Sequence, residues 1–340
     1  MKNIVFVFGA GASTSEGLPS QSELLKKYFE SNSEDSFREV LEGYFKNFYN
    51  INFGSGITTA KFPTFEESLG IIELAIDKEE SFSPNYTLSK LREIRNALIM
   101  SMGITIEKSQ LNSNANYIRL TDLLIKKGTK KYSFVSFNYD ILLDNALMRL
   151  LTEGVYIDYG IKFANEGKEL GNFPNWKSPP LEAKSVKYLK PHGSFNWMYC
   201  PTCNSMYILG DKKSEVFRTG YSHEIEHCPK DKTELSCVIE PPSFFKKYKN
   251  LYLQIIWKEM YNLLSEADTV FFIGYSLPEA DMWTKYLLKR SCFHSVKKFI
   301  VVNQSEDERA KYERLLGEVE YHKYGFKELV DEYIRRKGTS

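Results

Sequence analysis

A histidine held between a proline and a glycine is the first residue here with the makings of chemistry: Lys190-Pro191-His192-Gly193-Ser194. The turn is constrained and leaves little bulk beside the imidazole. A ring that titrates near neutrality suits a base facing a ligand. A second candidate is Asn138-Tyr139-Asp140, which follows the apolar run Tyr132–Phe137. An asparagine there can hold a hydroxyl or a water without adding charge, while Asp140 can also serve simply to cap the helix predicted from Ile141. A third is Gly9-Ala10-Gly11-Ala12-Ser13, directly after the apolar Ile4–Phe8. A strand running into small residues lets backbone N–H groups approach a phosphate, and a helix start adds its positive end. The plainer alternative is an ordinary tight strand-to-helix turn. The G-x-G-x-x-G fingerprint is broken at Thr14, where its third glycine belongs.

The cysteines form a separate group. Cys200, Cys203, Cys228 and Cys237 fall within a 38-residue window, leaving only Cys292 outside it. Such clustering in a cytoplasmic chain favours a metal over disulfides. Cys200-Pro201-Thr202-Cys203 is a zinc knuckle, and after 24 residues comes Cys228-Pro229-Lys230-Asp231. Asp231 stands where a fourth cysteine would; Cys237, His227 and His223 are the other candidates, since zinc accepts S, N or O ligands. A closed, thiolate-rich site of this kind is structural.

These residues need a scaffold. Apolar runs at Ile4–Phe8, Tyr132–Phe137, Val186–Lys190, Thr269–Ile273 and Lys298–Val302 read as buried strands alternating with helices. Their ends carry Gly9–Ser13, Asn138 with Asp140, His192 with Gly193, Gly274 with Ser276, and Asn303. Together they make one rim of a parallel sheet, where ligands sit in open α/β folds. From Glu23 to about Lys127 the pattern is helical, divided by polar breaks into four or five helices, the first of them capped at Ser20 or Ser22. Leu91, Ile94, Leu98 and Met102 share one helix face. Such an insert covers a site or mediates assembly. Residues 152–184 read as irregular.

The 340 residues are 42% hydrophobic, 14% aromatic and 26% charged, an ordinary globular composition. A net charge of +1 gives no electrostatic case for nucleic acid or a membrane surface. No apolar run approaches the roughly 20 residues of a membrane span, and Ile4–Phe8 is too short for a signal sequence, so a cytoplasmic location is expected.

In order and chemistry the turns resemble the sirtuin-like family, the NAD-consuming proteins of the deoxyhypusine-synthase-like NAD/FAD-binding fold. The matching motifs are Gly9–Ser13 with Gly17-Leu18-Pro19, Ser136–Asp140, Lys190–Ser194, the Cys200/Cys203/Cys228 ribbon, Gly274–Leu277 and Val301-Val302-Asn303. More narrowly, the chain looks like the bacterial sirtuin-like domains of anti-phage defence systems, which hydrolyse NAD. The resemblance implies a single domain over 1–340 with a Rossmann-like parallel sheet. Its NAD-binding core comes from 1–22, 129–198 and 238–340, with a helical insert at 23–128 and a zinc-ribbon-like insert at 199–237. It implies that Gly9, Ala10, Gly11 and Ser13 cradle the pyrophosphate, and that Pro19, Gly274, Tyr275 and Ser276 line the same nucleotide. Asn303 meets the adenosine ribose. Asn138 holds the nicotinamide ribose or the attacking water, Asp140 binds the carboxamide or braces the loop, and His192 is the general base. NAD is then a substrate and zinc a structural ion. The assembly is a homo-oligomer or a complex with a partner defence protein.

Three departures separate the chain from deacetylating sirtuins. Ser20-Gln21 replaces a Phe-Arg pair after Pro19. Phe137 precedes Asn138 where a glutamine is usual. Glu240-Pro241-Pro242 stands where the acyl-lysine-binding strand has Phe-Gly-Glu. Without a peptide groove, water is the acceptor and the reaction is NAD hydrolysis. NAD-dependent deacylation, ADP-ribosyl transfer and a non-catalytic NAD- or ADP-ribose-sensing module are the alternatives.

Overall fold

Apolar runs without polar alternation make strands covered on both faces, and such strands pair in parallel. The computed structural model describes residues 2–31, 35–57, 60–109, 115–126, 131–209, 226–240, 250–292 and 297–338. Its strands are β1 (Asn3–Phe8), β2 (Lys131–Ser136), β3 (Tyr156–Asp158), β4 (Ser185–Leu189), β5 (Gly193–Tyr199), β6 (Met206–Ile208), β7 (Ser236–Ile239), β8 (Thr269–Ile273), β9 (Lys298–Val302) and β10 (Glu320–His322). Seven form one sheet in the order β10-β9-β8-β1-β2-β4-β3, and every pairing in it is parallel. The fold is α/β, as the alternation of strands and helices predicts.

β1 lies at the centre, with β2 on one side and β8 on the other. The chain goes from β1 to β2 on one side and later returns to β8 on the other, so the carboxyl ends of β1 and β8 flank the topological switch point. That crevice is the place where open α/β sheets bind ligands. β1 is fully covered: Val5, Phe6, Val7 and Phe8 are buried, and Phe6 stacks on Phe271 of β8 with ring centroids 4.7 Å apart.

A second, three-stranded antiparallel sheet runs β6-β5-β7. Sequence patterning does not reveal it. Gly193–Trp197 reads there as the turn after β4, yet Gly193 begins a strand. Its positive φ of 86° and a Val238 carbonyl oxygen 1.9 Å from where a Cβ would sit require glycine at that position. Within 152–184, expected to be irregular, β3 adds the edge strand of the large sheet. The helix expected from Glu279 begins instead at Met282 and runs to Cys292.

The described residues fall into two compact units. One lies within Met1–Gly17, Asn112–Lys212 and His227–Ser340, and contains both sheets. The other lies within Leu18–Leu111 and Lys213–Glu226. Its helices are Gln21–Glu30, Phe37–Tyr49, Phe65–Asp77 and Leu88–Ser109. Ser20 is the N-cap of the first, and Glu23 turns back to accept the Ser20 N–H at 3.2 Å. Leu91, Ile94, Leu98 and Met102 are buried together with Leu24, Phe29, Leu41 and Phe45. No helix among the described residues is long and apolar enough to cross a membrane.

Candidate functional site

The turn after β1 is built against the turn after β8. The Gly9 N–H donates to the Ile273 carbonyl at 3.0 Å, and the Gly11 N–H to the Gly274 carbonyl at 2.8 Å. A Cβ on Gly9 would lie 2.5 Å from the Tyr275 Cα, and one on Gly274 would lie 2.1 Å from the Ala12 nitrogen. The glycines are therefore needed to bring two backbones together. Two of the N–H groups expected to meet a phosphate already have partners in the β8 turn. The helix that follows, Ala10–Thr14, is little more than one turn. Gly11 and Ser276 are exposed on this edge, and Ala10 and Gly274 are part-exposed.

Beside this junction the β2 turn brings Asn138 and Asp140 onto Ser13. The Asn138 amide donates to the Gly9 carbonyl and to the Ser13 Oγ, both at 3.0 Å. The Ser13 hydroxyl donates a hydrogen bond to Asp140 Oδ2 at 2.8 Å, so Tyr117, 3.2 Å away, donates to the Ser13 Oγ. Asp140 Oδ1 accepts the Leu142 N–H at 3.1 Å, but the N-cap of the helix Leu142–Met148 is Ile141, so Asp140 braces the turn just ahead of the helix and is not its cap. Burial pushes the Asp140 carboxyl above its ordinary pKa, against the pull of the Lys190 charge. The same burial, with the Asp140 charge added, lifts the Tyr117 phenol well above its usual range.

Sequence reading missed the group beneath these residues. Lys190 and Asp144 are both fully buried, with Nζ 3.0 Å from Oδ2. Lys190 also donates to the Asp140 carbonyl at 2.7 Å and to the Ser194 Oγ at 2.6 Å. Tyr159 and Tyr188 donate to the two Asp144 oxygens at 2.6 and 2.9 Å. A buried pair this fully hydrogen-bonded fixes the backbone of the Asn138–Asp140 turn relative to that of His192.

His192 lies against Phe137, Tyr139 and Trp257, with ring centroids 4.9, 6.4 and 6.0 Å away. Its Nε2 is 3.5 Å from Asp281 Oδ2. Asp281, missed in the sequence, where it falls inside the helix expected from Glu279, is the residue before the helix Met282–Cys292. At the far side of the junction the Asn303 amide reaches the Tyr275 carbonyl at 3.5 Å, and Tyr312 donates to the same carbonyl at 2.7 Å. Pro19 belongs to the other unit and is buried there.

The metal candidates gather at the tips of the small sheet. Ligand atoms of Cys200, Cys203, Cys228 and Asp231 all lie within 4.8 Å of one another. Cys203 Sγ is 3.6 Å from Cys228 Sγ, and Cys200 Sγ is 3.5 Å from both Asp231 oxygens. Two sulfurs each about 2.3 Å from a tetrahedral zinc lie roughly 3.8 Å apart, so the donor set fits that ion. Burial raises the Cys200 thiol to about 11 in the metal-free state. At Cys228 burial acts the same way, but the Tyr207 hydroxyl at 3.2 Å and the Lys230 and Asp231 N–H groups hold the pKa below its ordinary value. Cys237 is not in the cluster: it lies on β7 and its thiol faces the Ser194 carbonyl at 3.7 Å. His227 is in a bridge with Glu234, and His223 lies outside the described residues.

No protein-family model matches this sequence, and no curated protein does. Solved structures do match. A Sir2 homologue mutant in complex with ADP-ribose aligns over 99% of this chain and 93% of its own, at 14% identity and a TM-score of 0.50. Sir2Tm bound to a propionylated peptide aligns over 99% and 94%, at 17% identity and a TM-score of 0.46. A Sir2–p53 peptide–NAD+ structure aligns over 99% and 94%, at 16% and 0.46. At such identity the likeness is one of fold: this chain has a Sir2-like α/β fold with a seven-stranded parallel sheet.

Two outcomes follow from the geometry. Lys190→Met strands the Asp144 charge and costs about 3–5 kcal/mol in denaturant unfolding; the same change made on Asp144→Asn costs distinctly less. Elemental analysis finds about one zinc per chain, lost in a Cys203→Ser, Cys228→Ser double variant and kept in Cys237→Ser.

Proposed function

We propose that this chain is a sirtuin-like NAD hydrolase that cleaves NAD to nicotinamide and ADP-ribose. The observation that carries this reading is the convergence of Ser13, Asn138, Asp140 and His192 on one edge of the sheet, beside the β1/β8 switch point. In this reading the exposed side of the Gly9–Ser13 turn, with Gly274, Tyr275 and Ser276, accommodates the pyrophosphate, and Asn303 the adenosine ribose. Asn138, held by Gly9 and Ser13, orients the nicotinamide ribose or the incoming water. Asp140 faces the carboxamide or braces the loop.

The reaction exchanges the C–N bond between nicotinamide and ribose for a C–O bond from water. His192 takes the proton that water gives up, and nicotinamide leaves with the electron pair of the broken bond. The transition state carries positive charge on the ribose, so polar groups held in place contribute more than covalent help. An amide at Asn138 and a neutral imidazole at His192 meet that need without fixing a second full charge beside the sugar.

Hydrolysis is favoured over deacylation by the departures at Ser20-Gln21, Phe137 and Glu240. The Glu240 N–H is bonded to the His192 carbonyl at 2.9 Å; Pro241 and Pro242 lie outside the described residues. The motif resemblance to bacterial defence domains supports a role in anti-phage NAD depletion in the cytoplasm, within a homo-oligomer or with a partner defence protein. The zinc ion assigned to Cys200, Cys203, Cys228 and Asp231 is structural in this reading.

Nicotinamide release from NAD, followed by chromatography with and without an acetyl-lysine peptide, tests it. Release independent of peptide is expected, reduced at least about 100-fold by His192→Ala or Asn138→Ala. Strict dependence on the peptide would establish a deacylase instead, and tight NAD binding with no turnover a sensor.

A further inference from the structure

His192 sits in a wall of rings, and the side chain of Asp281 reaches it from the next turn. Asp281 is 2% exposed and its Oδ2 is 3.5 Å from His192 Nε2. The carboxylate is held at both oxygens, and the backbone of the residue is fixed as well. Tyr275 donates its hydroxyl to Oδ2 at 2.5 Å, the Thr284 N–H donates to Oδ1 at 3.4 Å, and the Asp281 N–H is fixed on the Pro278 carbonyl at 3.1 Å. A side chain anchored in this way at a helix start has little freedom to follow the imidazole; the imidazole must settle against it.

We infer that Asp281 is the positioning residue for His192, holding the ring in the tautomer with its proton on Nε2 and leaving Nδ1 as the basic nitrogen. This rests on His192 being the base of the proposed reaction. A carboxylate accepts only, so the nitrogen that faces it carries hydrogen. At 3.5 Å the contact is long, as catalytic hydrogen bonds often are before a ligand closes the site. The remaining elements around His192 place Tyr139 on the β2 turn, Trp257 and Phe137 as uncharged rings, and Glu240 at the end of β7, which bonds the His192 carbonyl through its backbone N–H. Lys190, two residues away, is turned into the Asp144 network. Burial would raise the Asp281 pKa, but the His192 charge and the hydrogen bonds from His192 and Tyr275 bring it down to about 2, so the carboxylate is ionised at any pH where His192 titrates. Its charge in turn favours the imidazolium and raises the pH at which His192 becomes a base.

Tyr275 gives this pair a wider reach. Its hydroxyl holds Asp281, while its carbonyl accepts from Tyr312 and Asn303. The residue that anchors the base's partner is thus fixed at the end of the rim proposed for the adenosine.

The test is the titration of His192 by NMR in full-length protein carrying 13C-labelled histidine, its signal assigned by its loss in His192→Gln. Asp281→Asn keeps a good helix cap while removing the charge. It should lower the His192 pKa by about 1–3 units. It should also lower kcat for nicotinamide release about 10–100-fold with KM for NAD little changed, and move the acidic limb of the pH–rate profile to lower pH. Asp281→Glu should recover part of both. An unshifted His192 pKa overturns the inference whatever the activity. A shifted pKa in a protein that releases no nicotinamide supports the pairing and counts against the hydrolase reading alone. Should Asp281→Asn not fold, Tyr275→Phe replaces it: loss of the hydroxyl that shares Oδ2 should raise the His192 pKa, and no change there overturns the inference equally.

Discussion

The meeting of two backbones at the sheet's switch point is the constraint on which the rest depends. β1 and β8 end side by side, and their turns interlock through Gly9, Gly11 and Gly274 at distances that admit no side chain. The junction fixes where the Gly9 carbonyl points, and Asn138 is hydrogen-bonded to that carbonyl. It also fixes Tyr275, whose hydroxyl reaches Asp281 and, through it, His192. Residues from the β1, β2, β4 and β8 turns are therefore referenced to one rigid point. A site assembled this way is pre-organised by packing, which loops alone would not achieve.

Around the candidate site, buried charge falls into two separate groups. One holds Lys190, Asp144 and Asp140 beneath the Asn138 turn, with Tyr159, Tyr188 and Ser194 completing the hydrogen bonds. The other holds His192 and Asp281 with Tyr275. The first costs desolvation and returns a fixed backbone; the second places a titratable ring against an ionised partner. Asp140 and Asp281 show the difference. Both are buried carboxyls and burial is the largest influence on each; at Asp140 it prevails and raises the pKa, whereas at Asp281 the His192 charge and the hydrogen bonds from His192, Tyr275 and Thr284 together outweigh it and lower the pKa.

The strand ends were legible from sequence because each apolar run stops at small or polar residues. Gly9, Asn138, His192, Gly274 and Asn303 all lie where that pattern predicts, at one edge of the sheet. What those residues do there was less legible. Glycine signals close approach without saying to what, and here the neighbour of Gly9 and Gly11 is the Gly274–Tyr275 backbone. Asp281 was hidden because Pro-Glu-Ala-Asp-Met reads as a helix start, and capping is indeed part of its job. Lys190 and Asp144 were hidden because charged residues are ordinarily solvated, and only tertiary pairing buries them. β5 escaped because it begins inside a glycine turn and pairs with β7 more than thirty residues on, beyond any local period. Asp231 and Cys237 could not be separated by spacing alone, since direction decides which one meets the other three ligands.

The central claim is that this edge of the sheet holds NAD. Hydrogen–deuterium exchange with and without NAD tests it most directly, because it maps binding whatever the later chemistry. NAD held at this edge slows exchange in residues 9–14, 136–140, 190–193 and 274–281. It leaves exchange unchanged around the cavity of about 230 Å³ at the opposite edge, lined by Lys2, Lys298, Glu320 and His322. Protection confined to that opposite cavity, or none anywhere at saturating NAD, would contradict the claim.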